Sequence, residues 1–363
     1  MKFSAKCMYL GLHVALAMTS SCMHLGEART ERDAAIGIAE QGALRVQVAE
    51  GAAVVRALAP GRLQLWANAP TLRIELDPGE HTGDWEIQID NAMPDAELRG
   101  EQAARLLESP LPTTRRFRVP IAGARTLYVI SPDFDDLAPW KFLFFADVQE
   151  AIDRVQDLYA AMNLEVGPRF ALIGGDLTSS GTDAQLERFE HELRSLEVPA
   201  FATVGNHELF AEDGIGFQQR FGRASSHFEY RGVAFSLIDS ASSTVDPAVY
   251  ARFDEWLTRA RERVHIVSMH IPPLDPIGSR AGGFASKHEA QKILQRMADG
   301  KVDLTLYGHI HSYYAFANAG IPAFIAGGGG AIPESFDGIG RHYLIVDVDP
   351  IAQRLSTTLR RVD

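Results

Sequence analysis

The sequence predicts two folds in tandem, a small β-sandwich followed by an α/β layered domain. From Gly42 to about residue 136, apolar and polar residues alternate with a period of two. After about residue 138, apolar runs of strand length alternate with stretches of helical period. The chain has 363 residues, 46% of them hydrophobic, enough for two sizeable cores.

In the first part, Leu44, Val46 and Val48 face one way and Arg45 and Gln47 the other. The period recurs at Leu72, Ile74 and Leu76, and again at Trp85, Ile87 and Ile89, with the turn-rich "DPGEHTGD" between those two runs. Phe117 with Val119, then Leu127 with Val129, continue it. Within this β-sandwich-like domain, 42–136, "AELRGEQAARLLE" reads as one helix. No internal repeat is visible, and no group of residues in this part suggests chemistry.

In the second part, 138–363, "KFLFFAD" is a buried strand, and Ile152, Val155, Leu158 and Met162 mark a helix face. "RFALIGGD" follows, then a helix with Leu186, Phe189, Leu193 and Leu196 inward. "PAFATVGN" is a third strand. "VAFSLID" and "VHIVSMH" flank a helix around Phe253, Trp256 and Leu257. A helix near Ile293 and Met297 leads to "VDLTLYGH", and "AFIAGGGG" and "HYLIVDVD" complete the set. The stretches 209–232, 241–250 and 272–286 read as loops.

The start reads as an export segment, residues 1–22. Lys2 and Lys6 precede an apolar run, Met8 to Met18, too short to span a bilayer. Two cleavage readings stand. "ALA" at 15–17 suits ordinary signal-peptidase cleavage, whereas "TSSC" resembles a bacterial lipoprotein signal, with lipid on Cys22 attaching the protein to a membrane. Either way the protein is expected to be exported: periplasmic or membrane-anchored in a bacterium, otherwise secreted. Residues 23–41 look like a tether. The only cysteines are Cys7 and Cys22, so no disulfide framework is available and any metal site must use His, Asp, Glu, Asn or Gln. The formal charge of -12 argues against a nucleic-acid partner, but not against an anionic substrate if bound cations supply positive charge.

Five expected strands end in polar groups: Asp147 and Gln149; Asp176; Asn206, His207 and Glu208; His270; and His309 with His311. Ligands of α/β sheets bind beyond the carboxyl ends of strands, so these side chains are expected to converge on one rim. Taken singly, Asp147, Asp176 and Asn206 are ordinary turn or cap residues and His270 an ordinary core histidine. Those readings do not account for five coincident strand ends. Imidazole and carboxylate donors suit zinc, iron or manganese, and the set is large enough for two ions sharing a carboxylate. "AGGGGA" at 326–331 lacks the Lys-Ser/Thr of a P-loop and reads as a tight turn beneath the site. His227 and His288 are expected on the surface.

The ordered blocks at 147, 176, 206–208 ("GNHE"), 270 and 309–311 ("GHIH") resemble the calcineurin-like metallophosphoesterases. The resemblance implies an αββα sandwich with a two-metal centre. It implies Asp147 and His311 on one ion, Asn206, His270 and His309 on the other, and Asp176 bridging both. It further implies a metal-bridging hydroxide that attacks phosphorus, His207 as the acid for the leaving alkoxide or as a phosphate anchor, and Glu208 as a support. Gln149 departs from the family, which has histidine there; it either coordinates weakly or orients a water. Ser179 stands where purple acid phosphatases carry a tyrosine ligand, although "GNHE", Tyr313 and the N-terminal β-domain lean toward that branch. The expected function is hydrolysis of a phosphomonoester or phosphodiester. A non-catalytic binding protein on the same fold, which Gln149 favours, and a nuclease are the alternatives.

Overall fold

The structure is a computed structural model that describes residues 26–278, 281–336 and 339–362. The expected export segment, Cys22 included, lies outside the described residues.

Ten N-terminal strands form two five-stranded sheets. They are β1 (Ile38–Gln41), β2 (Leu44–Glu50), β3 (Ala53–Ala59), β4 (Arg62–Ala67), β5 (Leu72–Asp77), β6 (Gly83–Asp90), β7 (Glu97–Arg99), β8 (Arg105–Leu107), β9 (Arg115–Ile121) and β10 (Arg125–Ile130). The sheet orders are β1-β2-β5-β10-β7 and β3-β4-β6-β9-β8. Their alternating apolar residues meet in one core, where Val46, Ile74 and Leu127 of the first sheet join Leu65, Ile87 and Phe117 of the second.

The helix expected over "AELRGEQAARLLE" is not there. Its two ends are the short strands β7 and β8, which pair with β10 and β9 respectively. Leu98 is buried and Leu106 exposed, so the segment has no apolar stripe of helical period, and pairing with formed sheets decides its conformation.

The expected tether is also structured. Residues 26–33 form a helix, α1, and β1 begins at Ile38. Arg29 of α1 is buried, pairs with Asp239 at 2.8 Å and with Asp213, and donates to Ser242 at 2.7 Å. Asp33 accepts from Gln218 Nε2 and from the backbone N–H groups of Ala224 and Ser225. These contacts dock the segment on the α/β half.

That half contains β11 (Trp140–Phe145), β12 (Pro168–Ile173), β13 (Ala200–Ala202), β14 (Ser226–Tyr230), β15 (Val233–Ile238), β16 (Val264–Met269), β17 (Leu304–Tyr307), β18 (Tyr313–Asn318), β19 (Ile321–Ala326), β20 (His342–Asp349) and β21 (Arg354–Arg361). Its helices are α2 (Gln156–Asn163), α3 (Asp183–Leu193), α4 (Ile215–Arg220), α5 (Pro247–Ala260) and α6 (Lys287–Asp299). The stretch 209–232, expected as a loop, holds α4 and β14.

The strands form two sheets, β13-β12-β11-β20-β21 and β14-β15-β16-β17-β19-β18. Between them lie aromatic side chains, with Phe142 stacked on Phe170 at 5.6 Å and both edge-on to Phe235. The outer face of the first sheet packs Phe145 and Ile173 against Leu158, Phe189 and Phe217. The outer face of the second packs Ile238 and Met269 against Phe253, Ile293 and Met297. The result is the expected four-layer αββα sandwich. Strands β15 and β16 are buried on both faces, which is why their sequences run apolar without alternation.

Two asparagines close the exposed edge of β13. Asn68, just beyond β4, donates to Ala202 O at 2.9 Å and accepts from Ala202 N–H at 2.7 Å. Asn91, beyond β6, does the same at Ala200. Each side-chain amide imitates the next strand, so the β-sandwich covers an edge that would otherwise pair promiscuously.

Candidate metal centre

The carboxyl ends of β11, β12, β13, β16 and β17 deliver the side chains marked in the sequence to one place. Asp176, His270 and His309 hold donor atoms within 4.8 Å of one another, and so do Asp147, Asp176 and His311. Asp176 is common to both groups.

The backbone makes this convergence by unusual means. Asp147 (φ 63°), Gln149 (φ 46°), Asp176 (φ 52°) and His309 (φ 69°) all lie in the left-handed region. Such conformations cost on the order of 1–3 kcal/mol each and persist where surrounding bonds hold them. Here the bonds are visible. Asp147 accepts the His309 N–H at 2.9 Å, and Asp176 accepts the His207 N–H at 2.9 Å. Close approach also demands glycine: a Cβ on Gly205 would sit 2.1 Å from Asp176 Oδ1, and one on Gly327 would sit 2.9 Å from Asp147 Oδ2. The glycine run at 326–331 therefore lies against the site, but not as the expected tight turn: Gly329 N–H donates to Ala146 O and Ala331 N–H to Asp147 O, so it runs along the segment after β11.

The imidazoles are aimed by carbonyl oxygens. His270 Nδ1 lies 2.8 Å from Gly174 O and donates to it, leaving Nε2 facing Asn206 Oδ1 at 2.9 Å and Asp176 Oδ1 at 3.2 Å. His311 Nδ1 donates to Ile332 O at 2.8 Å, which turns Nε2 toward Asp147 Oδ1, 3.6 Å away. His309 Nδ1 meets the same Asn206 oxygen at 2.9 Å. A ring whose outer N–H is tied to a carbonyl is the usual arrangement of a histidine that ligates through its other nitrogen. Asn206 contributes a neutral oxygen between His270 and His309. Nitrogen and oxygen donors, a shared carboxylate and the carbonyl-tied Nδ1 atoms of His270 and His311 together fit a pair of divalent ions.

Gln149 is buried within the same group. Its Nε2 donates to Asp176 Oδ2 at 2.8 Å and lies 3.1 Å from His311 Nε2. His207 belongs to neither donor group. Its Nδ1 donates to Ser179 O at 2.8 Å, and its Nε2 lies 3.8 Å from Asp176 Oδ2. The expected tyrosine position thus serves through its main chain. Glu208 is fully buried, and its two oxygens accept from the N–H groups of Asp176, Thr178 and Gly205 and from the Thr178 hydroxyl at 2.9–3.1 Å.

Burial pushes the Asp147 carboxyl up to about 6, against the pull of His270 and His311. Burial also opposes ionisation of Asp176, but the charge and hydrogen bond of His270 overcome it and hold that carboxyl well below the usual range. His270 is correspondingly raised to about 9: burial works against its proton, and Asp176 outweighs burial. Glu208 is raised to about 7 by burial and by the charge of Asp176. The His270 proton thus supplies the positive charge that holds Asp176 ionised, a part that a bound cation would take over.

The carbonyl oxygens of Gly174, Ser179 and Ile332 were invisible in the sequence, since every residue carries one. His227 and His288, expected on the surface, belong to neither donor group. His227 stacks on Trp256 at 5.4 Å with Nδ1 beside Ser236, a partly buried packing position rather than the expected surface one. His288 is exposed and lies beside Glu289.

Residues 141–313, which contain every member of both donor groups, match the calcineurin-like phosphoesterase family. The α/β half is a calcineurin-like phosphoesterase domain. The family is one of phosphoesterases, which hydrolyse phosphoric esters. Among solved structures, a purple acid phosphatase from yellow lupin (Lupinus luteus) seeds is similar in fold at 12% identity, with a TM-score of 0.56, over 81% of this chain and 70% of that one. That likeness extends beyond the phosphoesterase domain into the β-sandwich. A dimetal phosphatase from Danio rerio is similar at 13% identity with a TM-score of 0.46, over 62% of this chain and 99% of its own. No curated protein matches.

Proposed function

We propose that the protein is an exported, metal-dependent phosphoesterase that hydrolyses phosphomonoesters or phosphodiesters. The observation that carries this is the pair of donor groups sharing Asp176. Asp147, Asp176 and His311 would hold one ion, and Asp176, Asn206, His270 and His309 the other, from among iron, manganese and zinc. The chemistry such ions supply when bound is neutralisation of phosphate charge and activation of water at neutral pH.

The chain's own residues do the rest. Gln149 orients the Asp176 carboxylate through its amide N–H. His207, its ring fixed by Ser179 O, keeps Nε2 beside Asp176 and holds a proton for the departing alkoxide. Glu208 ties together the backbone of Asp176, Thr178 and Gly205, so the loops after β12 and β13 keep their spacing. Export is proposed from residues 1–22 alone. Mass spectrometry of the mature N-terminus tests it, cleavage or lipid on Cys22 supporting export and an intact Met1 opposing it.

The direct test of the activity is metal analysis of purified protein, with turnover of a chromogenic phosphate ester in added manganese. Bound metal with turnover that Asp176→Asn abolishes is the expected result. Gln149, an amide where an imidazole is usual, favours the non-catalytic reading, and metal-loaded protein without turnover under any ion would establish it.

A further inference from the structure

We propose that this phosphoesterase acts on esters whose alcohol part is apolar, such as an alkyl chain of several carbons. The inference rests on the hydrolytic reading above and names the substrate class of that same site.

Twelve large apolar side chains are exposed among the described residues, and scattered singly they would need no explanation. Five of them are not scattered. Phe210, Leu274, Ile277, Ile332 and Phe336 occupy three stretches, each anchored to a site residue. Phe210, 67% exposed, lies with its ring centroid 4.9 Å from that of His207. Ile332, 75% exposed, gives its carbonyl to His311, and Glu334 N–H donates to His311 O at 3.1 Å, which places the stretch bearing Phe336 beside the same histidine. Leu274 and Ile277 follow His270 in a turn closed by the Asp275 carboxylate, which accepts the N–H groups of Ile277, Gly278 and Gly282. That turn packs on Ile310, between His309 and His311, since a Cβ on Gly282 would lie 3.0 Å from Ile310 Cγ1.

The placement of Phe210 decides what the apolar surface is for. Hydrolysis breaks the bond from phosphorus to the ester oxygen and forms one from phosphorus to the oxygen of water. His207 Nε2 gives its proton to the departing alkoxide, and the proton left by water restores it. The alcohol therefore sits beside His207 when it leaves, and the surface beside His207 is the exposed ring of Phe210. An alkyl group takes that ring out of water at no cost in buried hydroxyls, which a sugar or peptide alcohol laid on the same ring would have to leave hydrated or re-pair. Each methylene taken fully from water is worth about a fourfold gain in binding.

The test is kcat/KM for ethyl, butyl and hexyl phosphate, all dispersed as monomers, with manganese-loaded protein. The expected result is a rise of at least tenfold from ethyl to hexyl. Phe210→Ser is expected to flatten the series, and Ile332→Ser serves if that variant does not fold. Ile351→Ser, which changes an exposed apolar residue in the turn between β20 and β21, should keep the full rise. Turnover without chain-length dependence overturns this inference alone, as does a slope that Phe210→Ser and Ile332→Ser leave intact. Turnover only of esters embedded in vesicles also overturns it, because a bilayer rather than a single alcohol would then occupy the rim. Absence of turnover with every ester overturns the hydrolytic reading as well.

Discussion

Glu208 offers the sharpest test of how the site is held. Its carboxylate accepts four hydrogen bonds, two at each oxygen, in a fully buried position. Glutamine keeps the shape but retains one accepting oxygen. Its amide nitrogen will turn to Thr178, whose hydroxyl can rotate to accept, and the Thr178 N–H is left facing another N–H. One buried donor without a partner costs about 1–3 kcal/mol. Burial chiefly, and repulsion from Asp176 second, raise the Glu208 carboxyl to about 7, and relief of both in the neutral amide offsets part of that cost. Alanine leaves the N–H groups of Asp176, Thr178 and Gly205 all unpaired, which on the same scale is roughly 3–9 kcal/mol. The expected order of stability is wild type, then Glu208→Gln, then Glu208→Ala. The assay is urea denaturation of chelator-treated protein, with hydrogen exchange at those three amides. Both variants within about 0.5 kcal/mol of wild type, and unchanged exchange at those amides, would refute the reasoning.

Three further outcomes follow from the same structure. Asn68→Ala removes the amide that pairs with Ala202 and leaves a buried N–H and C=O exposed to nothing, so urea denaturation should show a loss of about 2–4 kcal/mol, and a loss below about 0.5 kcal/mol would mean the edge of β13 needs no cover. Burial holds His265 down at about 3 and His227, with help from Arg259, at about 4. The unfolded chain therefore takes up protons first as pH falls below about 6.5, and stability present above that pH is lost below it. Each histidine accounts for about 2 kcal/mol between pH 6.5 and 5, so His265→Phe should lose about 2 kcal/mol less than wild type when denaturation at pH 7.5 and pH 5 is compared; equal losses contradict the assignment. Asp33, raised to about 6 mainly by burial, works in the opposite direction in both proteins and cancels from that comparison. Gln149→His exchanges an amide N–H aimed at Asp176 for an imidazole lone pair beside His311, and calorimetry should show the weaker of two manganese-binding steps tightened at least tenfold; an unchanged isotherm would show that Gln149 does not control that step.

The candidate site was legible because its residues sit where five buried strands stop, and a polar cluster after an apolar run survives in any reading of the chain. Asp147, Asp176, Asn206, His270, His309 and His311 are such residues, and the fold brings them together. The half-buried strands of the sandwich were legible where alternation was clean, as at Leu72, Ile74 and Leu76. It failed at β3, where a register shift between Val55 and Ala57 interrupts the alternation, and at β7 and β8, which are three residues each and owe their conformation to neighbours distant in sequence. The docking of α1 was illegible for another reason. Arg29 and Asp33 look like solvent-exposed charges until Asp213, Asp239 and Gln218, some 180 residues or more away in the chain, supply their partners. Nor could the sequence show that Ser179 acts through its carbonyl and not its side chain.

The claim on which the rest depends is that Asp176 is common to two cation-binding groups. Metal content after gel filtration in manganese or zinc, on wild type and on Asp176→Ala of matching circular dichroism, tests it most directly. Two ions per chain in wild type, with both lost or weakened at least a hundredfold in the variant, is the predicted result. Wild-type protein that binds no metal, or a variant that still retains two ions at wild-type affinity, would contradict it.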